Sequence, residues 1–267
     1  MPEPVRLPRS IHGKSALTIA RHAALESGKI LQKRFSLPHK SKSKGRRNLV
    51  TEADLQSEKK IIGIIRAEFP GHGIVSEEAG ELKAEREYKW IIDPLDGTNN
   101  YFFGIPIYCV NIALVRRGEP VLGLTYDPVR KELFQAVRGK GAYLNGRKIR
   151  VSGVQTLERA SAGVDLGYNP ERSRELLEIQ ARLWGQVHLV RLLGSSALGM
   201  AYAACGRLGL YFHKYVYPWD IAAGLLLVRE AGGEVTDFKG RPVGVDSHEI
   251  VAGSKRLNGL FLEWLNK

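Results

Sequence analysis

The chain has 267 residues, 43% of them hydrophobic, and a formal net charge of +12 at pH 7. That apolar content is enough for one large domain or two closely joined halves, and it excludes an intrinsically disordered chain. No apolar run approaches the length needed to cross a bilayer, and no apolar core follows the basic groups of residues 1–14, so neither a membrane partner nor a signal peptide is expected. The two cysteines, Cys109 and Cys205, sit far apart in apolar stretches without metal-ligand spacing, as buried thiols of a soluble cytoplasmic protein would.

In chain order, Leu17, Ala20, Ala24, Leu31 and Phe35 recur on one helical face and predict a packed amphipathic helix over residues 15–35. The stretch that follows contains Pro38, Lys40, Lys42, Lys44, Arg46 and Arg47, has almost nothing to bury, and reads as a mobile basic loop. Clustered basic residues can serve a nucleic-acid backbone. No helix-turn-helix pattern, zinc spacing or aromatic RNA-binding signature accompanies them, which favours a solvated loop or a funnel for a small anionic substrate. At Thr51 a Thr-x-x-Asp capping box opens a second helix, periodic at Leu55, Glu58, Ile62, Ile65 and Phe69. Asp54 there is explained as a first-turn acid that complements the helix dipole. Residues 73–76 read as a short strand delivering Glu77 and Glu78, adjacent carboxylates of which at most one can face a given site.

The most informative stretch is Trp90-Ile91-Ile92-Asp93-Pro94-Leu95-Asp96-Gly97-Thr98. A β-rich run over residues 88–92, bounded by Pro94 and Gly97, predicts a buried strand whose carboxyl end delivers Asp93 and Asp96 to a loop, where open α/β sheets place their chemistry. Two acids this close repel each other unless a hard cation sits between them, and oxygen ligands suit Mg2+ or Mn2+. Gly97 lets the backbone approach an anion, and Thr98 adds a hydroxyl. An Asp-Gly turn capped by Asp96 accounts for that dipeptide alone.

From residue 107 onward, turns at Gly118-Glu119-Pro120, Tyr126-Asp127-Pro128 and Gly139-Lys140-Gly141 and the hairpin signal Asn145-Gly146 predict an antiparallel meander. Gly139-x-Gly141 leads into a hairpin and not a helix, so it is no dinucleotide fingerprint. After Gly153 strand and helix alternate: a strand over 160–164, a helix over 170–184, a strand over 187–193 and a helix opening at Ser195. Gly194-Ser195-Ser196 offers amides and hydroxyls to a polar ligand, or simply an N-cap. Pro218-Trp219-Asp220 opens a further helix, with Trp219 expected in the core and Asp220 explained by the dipole.

Five stretches, Asn48-Leu49-Val50-Thr51-Glu52-Ala53-Asp54, Ser76-Glu77-Glu78, the string from Asp93 through Thr98, Gly194-Ser195-Ser196 and Pro218-Trp219-Asp220-Ile221-Ala222-Ala223-Gly224, share the order and approximate spacing of the inositol monophosphatase family. The chain resembles that family over most of its length. The resemblance implies a layered α/β (α+β) fold, an inositol-monophosphatase-like αβαβα sandwich with an antiparallel N-terminal sheet and a smaller C-terminal α/β half. Residues 1–153 would carry most metal ligands and residues 154–267 would complete one continuous catalytic unit. It also implies a phosphoric monoester hydrolase with two or three Mg2+ per site, Mn2+ being possible. Asp93 would bridge two ions, Glu77 and the Leu95 carbonyl would complete one, and Asp96 with Asp220 the other, with Glu78 supporting Glu77 or holding a weaker cation. Thr98 and Asp54 would orient the attacking water and accept its proton, and the Gly97 and Thr98 amides would hold the phosphate. Asp96, Gly194, Ser195, Ser196, His213 and Asp220 would meet the rest of the substrate, and the basic loop would lie over the site.

The chain departs from the family at two places. His213 replaces the acidic residue that grips inositol hydroxyls, and Asn48 stands where an Asp is common. A histidine is a weaker acceptor from vicinal hydroxyls, and Lys214 beside it could favour a second anionic group; a surface position at a strand end explains His213 equally well. Inositol 1-phosphate leads, ahead of fructose 1,6-bisphosphate and adenosine 3',5'-bisphosphate. A nucleic-acid-associated binding protein that retains the fold is the non-enzyme alternative, and a purely structural relative is disfavoured because converging acids destabilise a fold that has no use for them. A homodimer and Li+ sensitivity are implied by analogy.

Overall fold

In the computed structural model, whose described residues are 5–37, 41–45, 48–82 and 87–267, the Ser15 hydroxyl accepts the Thr18 amide and opens α1 (Ala16–Phe35). Its buried face of Ala16, Ile19, Ala20, Ala23, Ala24 and Leu31 lies against the second helix. Between them, β1 (Ser41–Gly45) and β2 (Asn48–Thr51) pair antiparallel. Much of the stretch expected to be a loop is therefore strand, because backbone pairing needs no apolar side chains; Lys40, Arg46 and Arg47 lie outside the described residues. The capping box at Thr51 forms as expected and opens α2 (Glu52–Glu68). Of the face that the periodicity predicts, Glu58, Ile65 and Phe69 are buried and Ile62 is half-buried. Leu55 is exposed, while Asp54, Ser57 and Glu58 point inward. The Ser57 hydroxyl donates to the Pro94 carbonyl at 2.7 Å, and Glu58 accepts the Ser76 hydroxyl and the Glu78 and Ala79 amides. The inward side of α2 is thus partly polar, and Leu55 alone of the predicted face is exposed.

Among the described residues, eight strands form the larger sheet: β3 (Gly73–Ser76), β4 (Gly80–Leu82), β5 (Tyr88–Asp96), β6 (Cys109–Arg116), β7 (Glu119–Asp127), β8 (Glu132–Val137), β9 (Ala142–Leu144) and β10 (Arg147–Lys148). The short α3 (Thr98–Phe102) separates β5 from β6. The meander from β5 to β10 is antiparallel as expected, but β3 lies parallel to β5 with Ile74 opposite Trp90. The sheet is thus mixed, because β4 returns the chain to the starting end of β3 before β5 begins.

A smaller sheet in the order β12-β11-β13-β15-β14 contains β11 (Ser161–Val164), β12 (Leu189–Leu192), β13 (Leu210–Lys214), β14 (Glu234–Thr236) and β15 (Glu249–Gly253). Helices α4 (Pro170–Leu183), α5 (Ser196–Ala204), α6 (Pro218–Glu230) and α7 (Lys255–Leu265) are interleaved with its strands. Three apolar clusters define the layers. One joins α1 and α2 to the face of the large sheet carrying Trp90, Ile92, Ile112 and Leu124. The second joins the opposite face, through Ile91, Ala113 and Phe134, to α5, α6 and the small sheet's Tyr211, Ile250 and Ala252. The third packs Leu176 of α4 and Phe261 of α7 on Val164 and Phe212. The result is an αβαβα sandwich. Gly123 is required at the central contact, where an added Cβ would lie 2.6 Å from the Ala223 carbonyl oxygen. No helix among the described residues is long and apolar enough to cross a membrane.

Candidate active site

Strand β5 continues past its expected end, with a register shift between Asp93 and Asp96 that re-aims both side chains. Asp93 is 2% exposed and its Oδ1 accepts the Leu95 amide at 3.0 Å. Asp96 lies under the start of α5, where its carboxylate accepts the Ser195 hydroxyl, the Ala197 amide at 3.0 Å, the Ser196 amide at 3.2 Å and the Cys109 thiol at 3.5 Å. The Ser195 hydroxyl and the Ser196 and Ala197 amides therefore serve Asp96, and hold an acid of the large sheet to a helix of the central layer. Asp220 is the third residue of α6, and its carboxylate accepts the Tyr217 amide at 2.7 Å. Asp93, Asp96 and Asp220 each offer an oxygen within 4.8 Å of the others'.

Burial raises the pKa of all three acids, and neighbouring carboxylates add to the rise at two of them: Glu77, Asp96 and Asp220 act on Asp93, and Asp96 and Glu77 on Asp220. Such a cluster needs either shared protons or a cation. An all-oxygen donor set whose own repulsion a divalent ion would relieve fits Mg2+.

Gly97 sits at φ +94, where an added Cβ would lie 2.8 Å from the Ile107 carbonyl oxygen, so only glycine fits this corner. Thr98 follows it and opens α3. Its hydroxyl lies 2.9 Å from Asp54 Oδ1 and 2.9 Å from the Leu95 carbonyl. Asp54 is buried, also accepts the Thr51 amide and hydroxyl, and has its pKa raised by burial.

These residues bound a cavity of about 790 Å3. Glu77, Asp93, Leu95, Asp96, Gly97, Thr98, Gly194, Ser195, Ser196, His213 and Asp220 all line it. Asp54 reaches it through Thr98, and Glu78 does not line it.

Three expectations are corrected. His213 is 6% exposed, not a surface residue, because β13 runs inside the small sheet; its Nδ1 lies 3.0 Å from the Ser196 oxygen, and burial pushes its pKa down to about 3. Lys214, one residue on, faces the other side of the strand, where it pairs with Glu175 and lies 4.6 Å from the Phe238 ring centroid. Among the described residues no Lys or Arg lines the cavity. Trp219 is half-buried and not fully in the core: it packs against the edge of the central apolar cluster and is stacked on Tyr217 at 5.1 Å, because the start of α6 also opens on the cavity.

Among the lining residues that escaped the sequence reading are Asp165 and Tyr168. Asp165, 3% exposed, follows β11 directly and has its pKa raised to about 6 by burial. An acid straight after an apolar strand is the same signal that marked Asp93. Tyr168 is 41% exposed as a whole residue, but desolvation of its hydroxyl in the cavity raises its pKa, and Glu77, Asp220, Asp96 and Asp93 add to the rise; no sequence pattern marks a lone tyrosine.

The fold and the acid cluster define a class, the metal-dependent phosphatases of layered αβαβα architecture. The profile of the Inositol monophosphatase family matches residues 14–267, and the chain belongs to that family. A Nus factor SuhB of Xylella fastidiosa is 42% identical over 257 residues, covering 90% of each chain. Inositol monophosphatase 2 of Solanum lycopersicum is 36% identical, covering 93% of this chain and 97% of its own. Among solved structures, the extragenic suppressor protein suhB of Bartonella henselae aligns with a TM-score of 0.90 at 34% identity, covering 94% of this chain and 98% of its own. An IMPase/NADP phosphatase complexed with Mg2+ and phosphate aligns with a TM-score of 0.79 at 26% identity, covering 90% and 91%. The chain is a Mg2+-dependent phosphoric monoester hydrolase.

Proposed function

We propose that the enzyme hydrolyses a small sugar or polyol monophosphate, with inositol 1-phosphate as the leading substrate. The observation that carries this reading is the convergence of Asp93, Asp96 and Asp220 within 4.8 Å beside the Gly97 corner. Asp93 would be shared between cations, Glu77 and the Leu95 carbonyl would hold one, and Asp96 with Asp220 the other. When bound, the metal neutralises the phosphate and acidifies a water. The protein's own groups do the rest. The Thr98 hydroxyl orients the attacking water, and Asp54, whose raised pKa suits a proton acceptor, takes the proton through it. The Gly97 and Thr98 amides hold the phosphate oxygens. Gly194, Ser195, Ser196, His213 and Asp220 face the organic part of the substrate.

Residues 1–153 and 154–267 act as one catalytic unit in this reading, and a homodimer is proposed with it. The lack of a described cationic lining residue ranks fructose 1,6-bisphosphate and adenosine 3',5'-bisphosphate second, since each brings a further charge. A second reading, association with a transcription complex, is favoured by the net charge of +12 and by the name of the Xylella relative. The test is phosphate release with Mg2+ on inositol 1-phosphate, fructose 1,6-bisphosphate, adenosine 3',5'-bisphosphate and NADP. A preference for inositol 1-phosphate is expected. Silence on all four, with salt-sensitive RNA binding that survives Asp93→Asn, would replace the first reading by the second.

A further inference from the structure

The turn between β12 and α5 is gripped from two sides. Among the described residues β12 is the edge strand of the small sheet, paired on one side only, by β11. Asp165 follows β11 and stands beside the chain leaving β12, because Val164 pairs with Leu192. Its Oδ1 accepts the Leu193 and Gly194 amides at 2.8 and 2.5 Å, and its Oδ2 accepts the Tyr211 hydroxyl of β13 at 2.9 Å. From the side of the large sheet, Asn100 of α3 directs its Nδ2 at the Leu193 carbonyl at 2.8 Å, the Gly194 carbonyl at 3.2 Å and the Ile107 carbonyl at 2.8 Å. Leu193 and Gly194 are thus held by their N–H groups on one side and by their C=O groups on the other.

The residues that leave this turn are the donors to Asp96. Its Oδ2 takes the Ser195 hydroxyl, the Ala197 amide at 3.0 Å and the Cys109 thiol at 3.5 Å. Its Oδ1 takes the Ser196 amide at 3.2 Å. Each carboxylate oxygen has about two lone-pair sites, so three donors occupy Oδ2 and Oδ1 keeps room for a cation. Where the turn stands decides which oxygen that is.

We propose that Asp165 and Asn100 are positioning residues: by clamping the Leu193–Gly194 turn they hold the start of α5 against Asp96, so that Oδ1 is the oxygen presented to the divalent cation. The inference rests on the reading of Asp96 as a cation ligand. Neither residue has to touch the ion, since a ligating carboxylate binds well only when its own hydrogen-bond partners orient it.

The test is Mn2+ binding by the full chain without substrate, followed by electron paramagnetic resonance, with circular dichroism confirming that each variant is folded. Asp96→Asn is the reference and is expected to weaken binding. Asp165→Ala is expected to weaken it by about 10–100-fold, with the Mg2+ concentration for half-maximal phosphate release rising in step. Asp165→Asn keeps an acceptor for the two amides and loses the charge, and it is expected to recover most of the affinity. Asn100→Ala loosens the same turn, so the double variant with Asp165→Ala is expected to cost little more than the worse single one. Unchanged affinity in Asp165→Ala, with affinity lost in Asp96→Asn, overturns the clamp and leaves the ligand reading standing. An Asp165→Asn as weak as Asp165→Ala also overturns it, because charge and not position would then be the cause. Should Asp165→Ala fail to fold, the Mn2+ affinity of Asn100→Ala decides in the same way. Affinity kept in Asp96→Asn overturns the ligand reading and the proposal with it.

Discussion

Asp93 is buried with three acids pressing on it, and a neutral isostere at that position changes two quantities in opposite directions. Asp93→Asn is expected to lower kcat by at least about 10³-fold, measured as phosphate release, because it removes the shared ligand. The same variant is expected to unfold at a higher temperature than the parent in EDTA, because it also removes like-charge repulsion. A variant that kept its activity would mean that the acids serve something else. Thr98→Ala isolates the other arm of the site. Loss of the hydroxyl that joins Asp54 to the cavity is expected to cost about 10²–10⁴ in kcat with little change in the Mg2+ concentration for half-maximal rate, and Thr98→Ser is expected to recover most of it. Asp93, Asp96 and Thr98 were legible in the sequence because strand, turn and acids sit within one short string. The burial of His213 and the place of Asp165 were not, since the burial of a lone polar side chain depends on partners far along the chain; Tyr211, which hydrogen-bonds to Asp165, is 46 residues away.

At the scale of single elements, the corner between β5 and α3 tolerates only glycine. Gly97→Ala forces a left-handed backbone and a contact of 2.8 Å, at a cost of about 1–3 kcal/mol or more. Differential scanning calorimetry is expected to show a lower Tm, by roughly 2–4 °C for each kcal/mol in a chain of this length. The end of α2 carries a separate device. His72 stacks between Phe69 and Tyr88 and accepts the Trp90 indole proton at 3.1 Å, and burial lowers its pKa. A base whose folded pKa lies below its unfolded value of about 6.5 stabilises the fold above that value, and the contribution is lost as pH falls through the folded pKa. His72→Gln is therefore expected to flatten the acid limb of a stability curve followed by tryptophan fluorescence. Most helices and strands could be read from periodicity, caps and turns, as over residues 15–35, at Thr51 and at Asn145-Gly146. The inward turn of Asp54 and Ser57 and the exposure of Leu55 on α2 could not, because that side is set by what Thr98 and the loop at Pro94 need from Asp54 and Ser57.

For the whole molecule, the acids of the site set a pH dependence opposite to that of His72. Asp165, with a folded pKa near 6, and Asp54, Asp93, Asp96 and Asp220, all raised, favour the fold when protonated. Their contribution is fully present below about pH 3.8, the unfolded value, and is lost as pH rises through the folded ones. The metal-free protein accordingly has most to gain from a cation at neutral and alkaline pH. The difference in Tm between Mg2+-saturated and metal-free protein is expected to widen from pH 5 to pH 8, reaching about 2.7 kcal/mol of added stability when Mg2+ stands at 100 times its Kd. A constant difference would mean that the acids do not share the ion. The layered class was legible from the alternation of strands and helices, but the αβαβα stacking order only through the family resemblance, since no local pattern says that α5 and α6 will lie between two sheets. That central layer is packed on both sides, and Asp96 is gripped by the helix start it brings into place. An unfinished chain thus has no constellation with which to attack an ester. Turnover works as a certificate of complete assembly, and a stalled or misassembled molecule falls silent instead of becoming indiscriminate.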